Sequence, residues 1–125
     1  MLIDTDVLIW YMRGNAKSQR IIDKQKGFCV SVVNYIELVQ GMRDKYELIE
    51  LRKAFKEWAV KILYINEEIS VKAMFYIENY YLSHSLTMAD AIISATAIAY
   101  GLSILTGNDR HYKQINELNV IKFKP

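Results

Sequence analysis

The chain has few residues that interrupt or cross-link a fold. Cys29 is the only cysteine, so an intrachain disulfide or a cysteine-based zinc site is excluded, which suits a reducing cytosol. Its neighbours Phe28 and Val30 predict a small buried hydrophobe and not a nucleophile. The single proline is Pro125, and no repeat, low-complexity tract or linker interrupts the 125 residues, so they read as one domain. Neither sign of charge dominates: the net charge is +2 and charged residues make up 24%. That neither demands nor excludes a nucleic-acid partner, because an acidic pocket can sit on a basic face. No basic segment precedes an apolar run at the start, so a signal peptide is not expected and a cytoplasmic location is. An uncharged span, residues 91–107, borders on membrane length. Ser94, Thr96, Gly101 and Ser103 break it, predicting a buried helix followed by a strand, with no membrane partner.

What is present is an alternation of two periodicities. An apolar run over residues 1–3 stops at Asp4, and Val7, Leu8, Trp10 and Tyr11 then recur at helix spacing until Gly14 and Asn15. A short polar helix over 16–26 turns Ile21 and Ile22 inward and stops at Gly27. Residues 28–30 read as a second strand. Ser31 caps a helix that carries Val33, Ile36, Glu37 and Leu38 to near Gly41. Residues 46–59 are amphipathic, with Leu48, Leu51, Ala54, Phe55 and Trp58 on one stripe. A third strand is expected over 62–65, and Asn66 opens a long helix through Ile69, Ala73, Met74, Ile77 and Tyr81. Thr87 opens another, dense in Ala and Ile, that ends at Tyr100 and Gly101. A strand over 102–105, a turn over 106–109, a short helix over 110–118 and an edge strand over 120–123 complete the pattern. Helices alternating with strands predict an α/β fold: a central parallel sheet of four to five strands between two helical layers.

Four carboxylates fall at strand ends or early in helices: Asp4, Glu37, Asp90 and Asp109. If the first and fourth strands are neighbours, Asp4 and Asp109 share the edge of the sheet where open α/β folds bind ligands. The helix from Thr87 would bring Asp90 beside them, and Glu37 would reach in from the other side. Each acid also has a structural explanation. Asp4 and Asp109 suit helix N-caps, Thr87 and Asp90 fit a capping box, and Glu37 can point outward. Capping does not exclude catalysis, since one carboxylate can end a helix and still offer an oxygen to an ion. Two like charges about 4 Å apart repel by roughly 4 kcal/mol at an effective dielectric near 20. A hard divalent ion removes that conflict, and carboxylates without cysteine select Mg²⁺ or Mn²⁺. Such a site suggests phosphodiester chemistry.

At this point the chain resembles the PIN domain, specifically a VapC-type ribonuclease toxin of a type II toxin–antitoxin pair. The likeness rests on Leu2-Ile3-Asp4-Thr5-Asp6-Val7-Leu8-Ile9 and on Ser31-Val32-Val33-Asn34-Tyr35-Ile36-Glu37-Leu38. It continues in Ala89-Asp90-Ala91-Ile92-Ile93-Ser94-Ala95-Thr96-Ala97 and in Leu105-Thr106-Gly107-Asn108-Asp109-Arg110-His111-Tyr112. The resemblance implies a sheet of order 3-2-1-4-5 and an Mg²⁺- or Mn²⁺-dependent endoribonuclease. Asp4, Glu37 and Asp90 match the family's best-marked acids. Either Asn108 or Asp109 fills the fourth place, with Asp109 favoured for its full charge, so that Asp4, Asp90 and Asp109 would hold the ion. Thr106 and Thr5 match supporting hydroxyls, and Asp6 stands where members vary. The resemblance also implies an RNA substrate, a homodimer and a cognate antitoxin. The antitoxin would pack on Trp10, Tyr11, Leu38, Val39, Tyr46, Leu48 and Phe55, while Tyr76, Tyr80 and Tyr81 would serve a dimer face. Arg13, Arg43, Lys45, Arg110 and Lys113 are the cations nearest the motifs for RNA phosphates.

Two other functions compete. Asp4-Thr5-Asp6-Val7 after an apolar strand resembles the opening of a haloacid-dehalogenase-type phosphatase, with Asp4 as nucleophile and Asp6 as acid. That fold also needs a lysine and a second acidic pair late in a longer chain, for which Asn108-Asp109 is a poor substitute. The other is a catalytically inactive PIN-like binding module.

Overall fold

The computed structural model describes residues 1–125, except for the side chain of His84. Five short parallel strands form one sheet: β1 (Leu2–Ile3), β2 (Cys29–Ser31), β3 (Lys61–Leu63), β4 (Ile104–Thr106) and β5 (Val120–Lys122). Their order is β3-β2-β1-β4-β5. The connections reverse direction at β1, which pairs with β2 through Leu2 and Cys29 and with β4 through Leu2–Ile104 and Ile3–Leu105. In an open parallel sheet this reversal leaves a crevice outside the carboxyl ends of the two central strands.

Side chains alternate across the sheet because a strand has period two. Leu2 and Ile104 join the core on one face, while Ile3 and Leu105 join the core on the other. Helices α5 (Glu67–His84) and α6 (Met88–Ala99) cover the first face. They pack Ile69, Tyr76, Ile93 and Ala97 against Leu2 and Ile104. Helices α1 (Thr5–Met12), α2 (Ala16–Lys24), α3 (Val32–Gln40) and α4 (Lys45–Glu57) cover the second, burying Val7, Ile22, Leu38, Leu51 and Phe55 there. This is the expected three-layer α/β/α arrangement and strand order. The uncharged span is divided between α6 and β4, and Ala91, Ile93, Ala95 and Ala97 are buried in the core. Among the described residues no helix is long and apolar enough to cross a membrane.

The differences from expectation are local. β4 begins at Ile104 and takes in Thr106, because pairing with β5 matches Thr106 to Lys122. β3 ends at Leu63, and Tyr64 and Ile65 are exposed beyond it. The helix expected over 110–118 is absent. A one-turn 3-10 helix at Asp109–His111 is followed by turns. The buried residues there, Tyr112, Ile115 and Leu118, are spaced by three. Ile115 N–H donates to the Tyr112 carbonyl, and Leu118 N–H to that of Ile115. A spacing of three suits successive tight turns better than the 3.6-residue turn of an α-helix.

Candidate active site

Asp4 leaves β1 at the carboxyl edge of the sheet and serves as the N-cap of α1. It is only 6% exposed, and four donors reach it. Oδ1 accepts from the Thr5 N–H at 2.8 Å and from Asn34 Nδ2 at 3.0 Å. Oδ2 accepts from Thr106 Oγ1 at 2.8 Å and from the Tyr112 hydroxyl at 3.0 Å. An ionised carboxylate offers about four lone-pair sites, so the charge is fully solvated by protein. Even so, burial raises the Asp4 carboxyl above its ordinary pKa; the hydrogen bonds oppose that rise and the charge of Asp90 adds to it.

The donors are themselves held in place. Asn34 Oδ1 accepts the Ser31 N–H at 2.9 Å in the capping box of α3, and Nδ2 also donates to Thr5 Oγ1 at 3.0 Å. Thr5 Oγ1 donates in turn to Glu37 Oε1 at 2.8 Å. A continuous chain of hydrogen bonds thus runs from α3 through α1 to the carboxylate at the end of β1. Glu37 is an exposed side chain. Its carboxyl is raised by partial desolvation and by the charges of Asp4 and Asp90, while the Thr5 hydrogen bond lowers it.

Asp90 lies in the first turn of α6. Its N–H donates to Thr87 Oγ1 at 3.1 Å, and its Oδ2 accepts the Thr87 N–H at 3.5 Å. The same oxygen is 3.3 Å from His111 Nδ1. Capping therefore uses only part of this carboxylate, and it still faces a pocket. That pocket has a volume of about 280 Å³, and Asp4, Glu37 and Asp90 all line it with Thr5, Asp6, Asn108, His111 and Tyr112. Three acids from three separate elements are thus brought to one hollow.

The two candidates for the fourth position separate. Asn108 lines the pocket and Asp109 does not. Asp109 opens the 3-10 turn and places Oδ1 3.4 Å from Lys122 Nζ, on β5. Thr106 lies beneath the pocket, donating to Asp4 while accepting the Asn108 N–H at 3.0 Å. Asp6 braces the loop: Oδ1 accepts the Val7 N–H at 2.9 Å and Oδ2 the Gly107 N–H at 2.8 Å. A Cβ at position 107 would stand 2.5 Å from Asp6 Oδ2, so only glycine leaves that approach open. Burial, with the charge of Asp4 behind it, pushes the Asp6 carboxyl up to about 6. With each oxygen accepting one backbone N–H, Asp6 braces the loop that carries Gly107.

Asn34, His111 and Tyr112 are the site residues that sequence reasoning missed. All three stand inside the quoted motifs, but only the long-range fold brings an amide from α3 and a phenol from the 3-10 turn onto one aspartate. Among the described residues no three His, Cys, Asp or Glu side chains form a ready-made ion cage. The carboxylate-rich lining still fits a hard cation, since Mg²⁺ keeps several waters and uses one or two carboxylates. Burial chiefly, and mutual repulsion with the neighbouring acids to a lesser degree, raises the Asp4 and Glu37 carboxyls, and a cation would offset that repulsion.

A larger, mostly apolar groove of about 780 Å³ runs alongside, walled by Ile9, Tyr11, Leu38, Met42, Tyr46 and Trp58 among others. Ile9 and Glu37 belong to both hollows, so the groove opens onto the acidic pocket.

A central sheet of order 3-2-1-4-5 with an acidic pocket at its reversal defines an α/β domain built to gather carboxylates. The PIN domain family model matches residues 1–118, and the chain belongs to that family. No curated protein matches it. Solved structures do. A toxin–antitoxin complex from Klebsiella pneumoniae is 23% identical at a TM-score of 0.76, covering 97% of this chain and 95% of that one. VapBC2 from Rickettsia felis, bound to a DNA fragment from its promoter, is 14% identical at 0.81, with 98% of each chain covered. VapBC-1 from nontypeable Haemophilus influenzae is 21% identical at 0.77, covering 97% and 96%. At these identities the likeness is one of fold.

Proposed function

We propose that this PIN domain is an Mg²⁺- or Mn²⁺-dependent endoribonuclease, the toxin of a type II toxin–antitoxin pair working in the cytoplasm. The observation that carries the reading is the convergence of Asp4, Glu37 and Asp90 on one pocket. Asp4 and Asp90, with Asn108 beside them, hold the ion. When bound, the cation lowers the pKa of water and offsets charge on the phosphoryl oxygens. Glu37, exposed and raised above an ordinary carboxylate, takes the proton as water oxygen bonds to phosphorus, and the leaving oxygen departs with its bonding pair and takes a proton from solvent. Hydrogen bonds from Asn34, Thr5 and Thr106 hold Asp4 in place. Arg110 and Lys113, exposed beside His111, meet flanking phosphates.

The test is cleavage of RNA by the purified chain with Mg²⁺ or Mn²⁺. Asp4→Asn should lower the rate by roughly 100-fold or more, and EDTA should abolish cleavage. Cleavage that persists in EDTA would contradict the reading. Equal Mn²⁺ binding by wild type and Asp4→Asn/Asp90→Asn would favour an inactive binding module.

The antitoxin assignment rests on the solved toxin–antitoxin complexes of similar fold and on the groove. A segment with apolar side chains would fill the groove over Tyr11, Leu38 and Tyr46, with a basic residue reaching Glu37 at its end. Phe55 serves that surface only from beneath, being buried against Tyr35 and Trp58. The homodimer is assigned to the outer face of α5, where Val71, Met74, Phe75 and Leu82 are exposed at positions that share one side of a helix. Tyr76 does not belong to that face. It is buried, with its hydroxyl 3.2 Å from Glu117 Oε1.

A further inference from the structure

Asp4 has no free lone pair, and only one of its side-chain hydroxyl donors belongs to the pocket wall. The Thr5 N–H is backbone. Asn34 is clamped by its second bond to Ser31, and neither Asn34 nor Thr106 lines the pocket. Tyr112 does line it, and its hydroxyl donates to Oδ2 at 3.0 Å. An ion entering from the pocket therefore meets this oxygen on the side the phenol occupies. Thr106 Oγ1 is fixed from behind by the Asn108 N–H and stays in place. The Tyr112 hydroxyl, carried on a ring in the turn after Asp109–His111, has no second hydrogen-bond partner among the described residues.

We propose that Tyr112 is a positioning residue whose hydroxyl competes with a divalent cation for Asp4 Oδ2, so that ion binding and the Tyr112–Asp4 hydrogen bond exclude each other. The inference rests on the nuclease reading of the same pocket. Without an ion, the phenol supplies the fourth hydrogen bond to the buried carboxylate. When an ion arrives, that bond breaks and its energy is subtracted from the binding energy. Tyr112 thereby sets how much ion the domain needs before it is loaded, without itself touching the ion or the substrate. Removing the hydroxyl leaves the ring to fill the core, exposes one lone pair of Oδ2 to the pocket and leaves the Asp4 charge less quenched. Both effects favour a cation.

The experiment is titration of full-length wild type and Tyr112→Phe with Mn²⁺ by calorimetry. A hydrogen bond to a charged group is large enough that the variant should bind roughly tenfold tighter. A merely structural role for Tyr112 would weaken binding or leave it unchanged, and either result overturns the proposal. A second measurement needs no variant. In wild type, the Tyr112 ring signals should shift in NMR spectra over the Mg²⁺ range in which Asp4 signals shift. Signals of Tyr112 that stay fixed while Asp4 responds overturn the proposal even if Tyr112→Phe does not fold. If wild type binds no Mn²⁺, the cation reading fails and takes this inference with it; binding without a gain in Tyr112→Phe removes this inference alone.

Discussion

Asp6 is kept close to Asp4 by the N–H groups of Val7 and Gly107, in a setting that disfavours its charge. Its carboxyl is raised from 3.8 to about 6. A raised acid stabilises the fold most at low pH, where it is protonated in both states. That contribution is lost as pH climbs from about 4 through 6, because the folded state must then ionise a group it would rather keep neutral. Asp6→Asn cannot titrate, so its melting temperature relative to wild type should rise between pH 4 and pH 7, whatever the offset from losing one acceptor. A difference that stays flat across that window would mean Asp6 ionises freely. Little of this is legible in the sequence. The pairing of Asp6 with Gly107 spans 101 residues, and residue type alone does not distinguish a brace from a ligand. The same limit applies to Asn108 and Asp109, where full charge favoured Asp109. Lys122, supplied by a strand that pairs beside β4, takes that carboxylate away from the pocket.

At the scale of elements, α6 links stability to the site. Thr87 Oγ1 accepts the Asp90 N–H, and the Asp90 carboxylate answers the Thr87 N–H. The helix start therefore holds a pocket acid in place. Thr87→Ala should cost about 1 kcal/mol in denaturant unfolding, as loss of an N-cap does elsewhere. It should also slow RNA cleavage, because Asp90 loses half of its anchor. Unchanged stability would mean that the cap is redundant. Elements of this kind were legible: hydroxyl or amide caps at Ser31, Asn66 and Thr87 mark the starts of α3, α5 and α6. The segment after β4 was not, because Tyr112, Ile115 and Leu118 satisfy a three-residue spacing as readily as the start of an amphipathic helix. The phenol that reaches Asp4 comes from this misread turn.

For the whole molecule, alternating patterns made a parallel α/β sheet legible, whereas its strand order followed from the PIN resemblance; the reversal beside the first strand puts its terminal acid at the crevice. Surfaces were less so. Tyr76 and Tyr80 share a helix with Val71, Met74, Phe75 and Leu82, and sequence spacing does not show which side faces the sheet. Phe75→Lys/Leu82→Lys should shift sedimentation from dimer to monomer while leaving the fold intact; a wild type that sediments as a monomer would refute the α5 interface. The nuclease reading depends on Asp4 after β1, Glu37 of α3 and Asp90 of α6 facing one hollow. Paramagnetic resonance of Mn²⁺ bound to wild type, Asp4→Asn, Asp90→Asn and Asp109→Asn tests this most directly. The account predicts that affinity falls roughly tenfold or more in the Asp4 and Asp90 variants and stays within about threefold of wild type in Asp109→Asn, whose side chain serves Lys122. Loss of the ion in Asp109→Asn with retention in Asp90→Asn would contradict it.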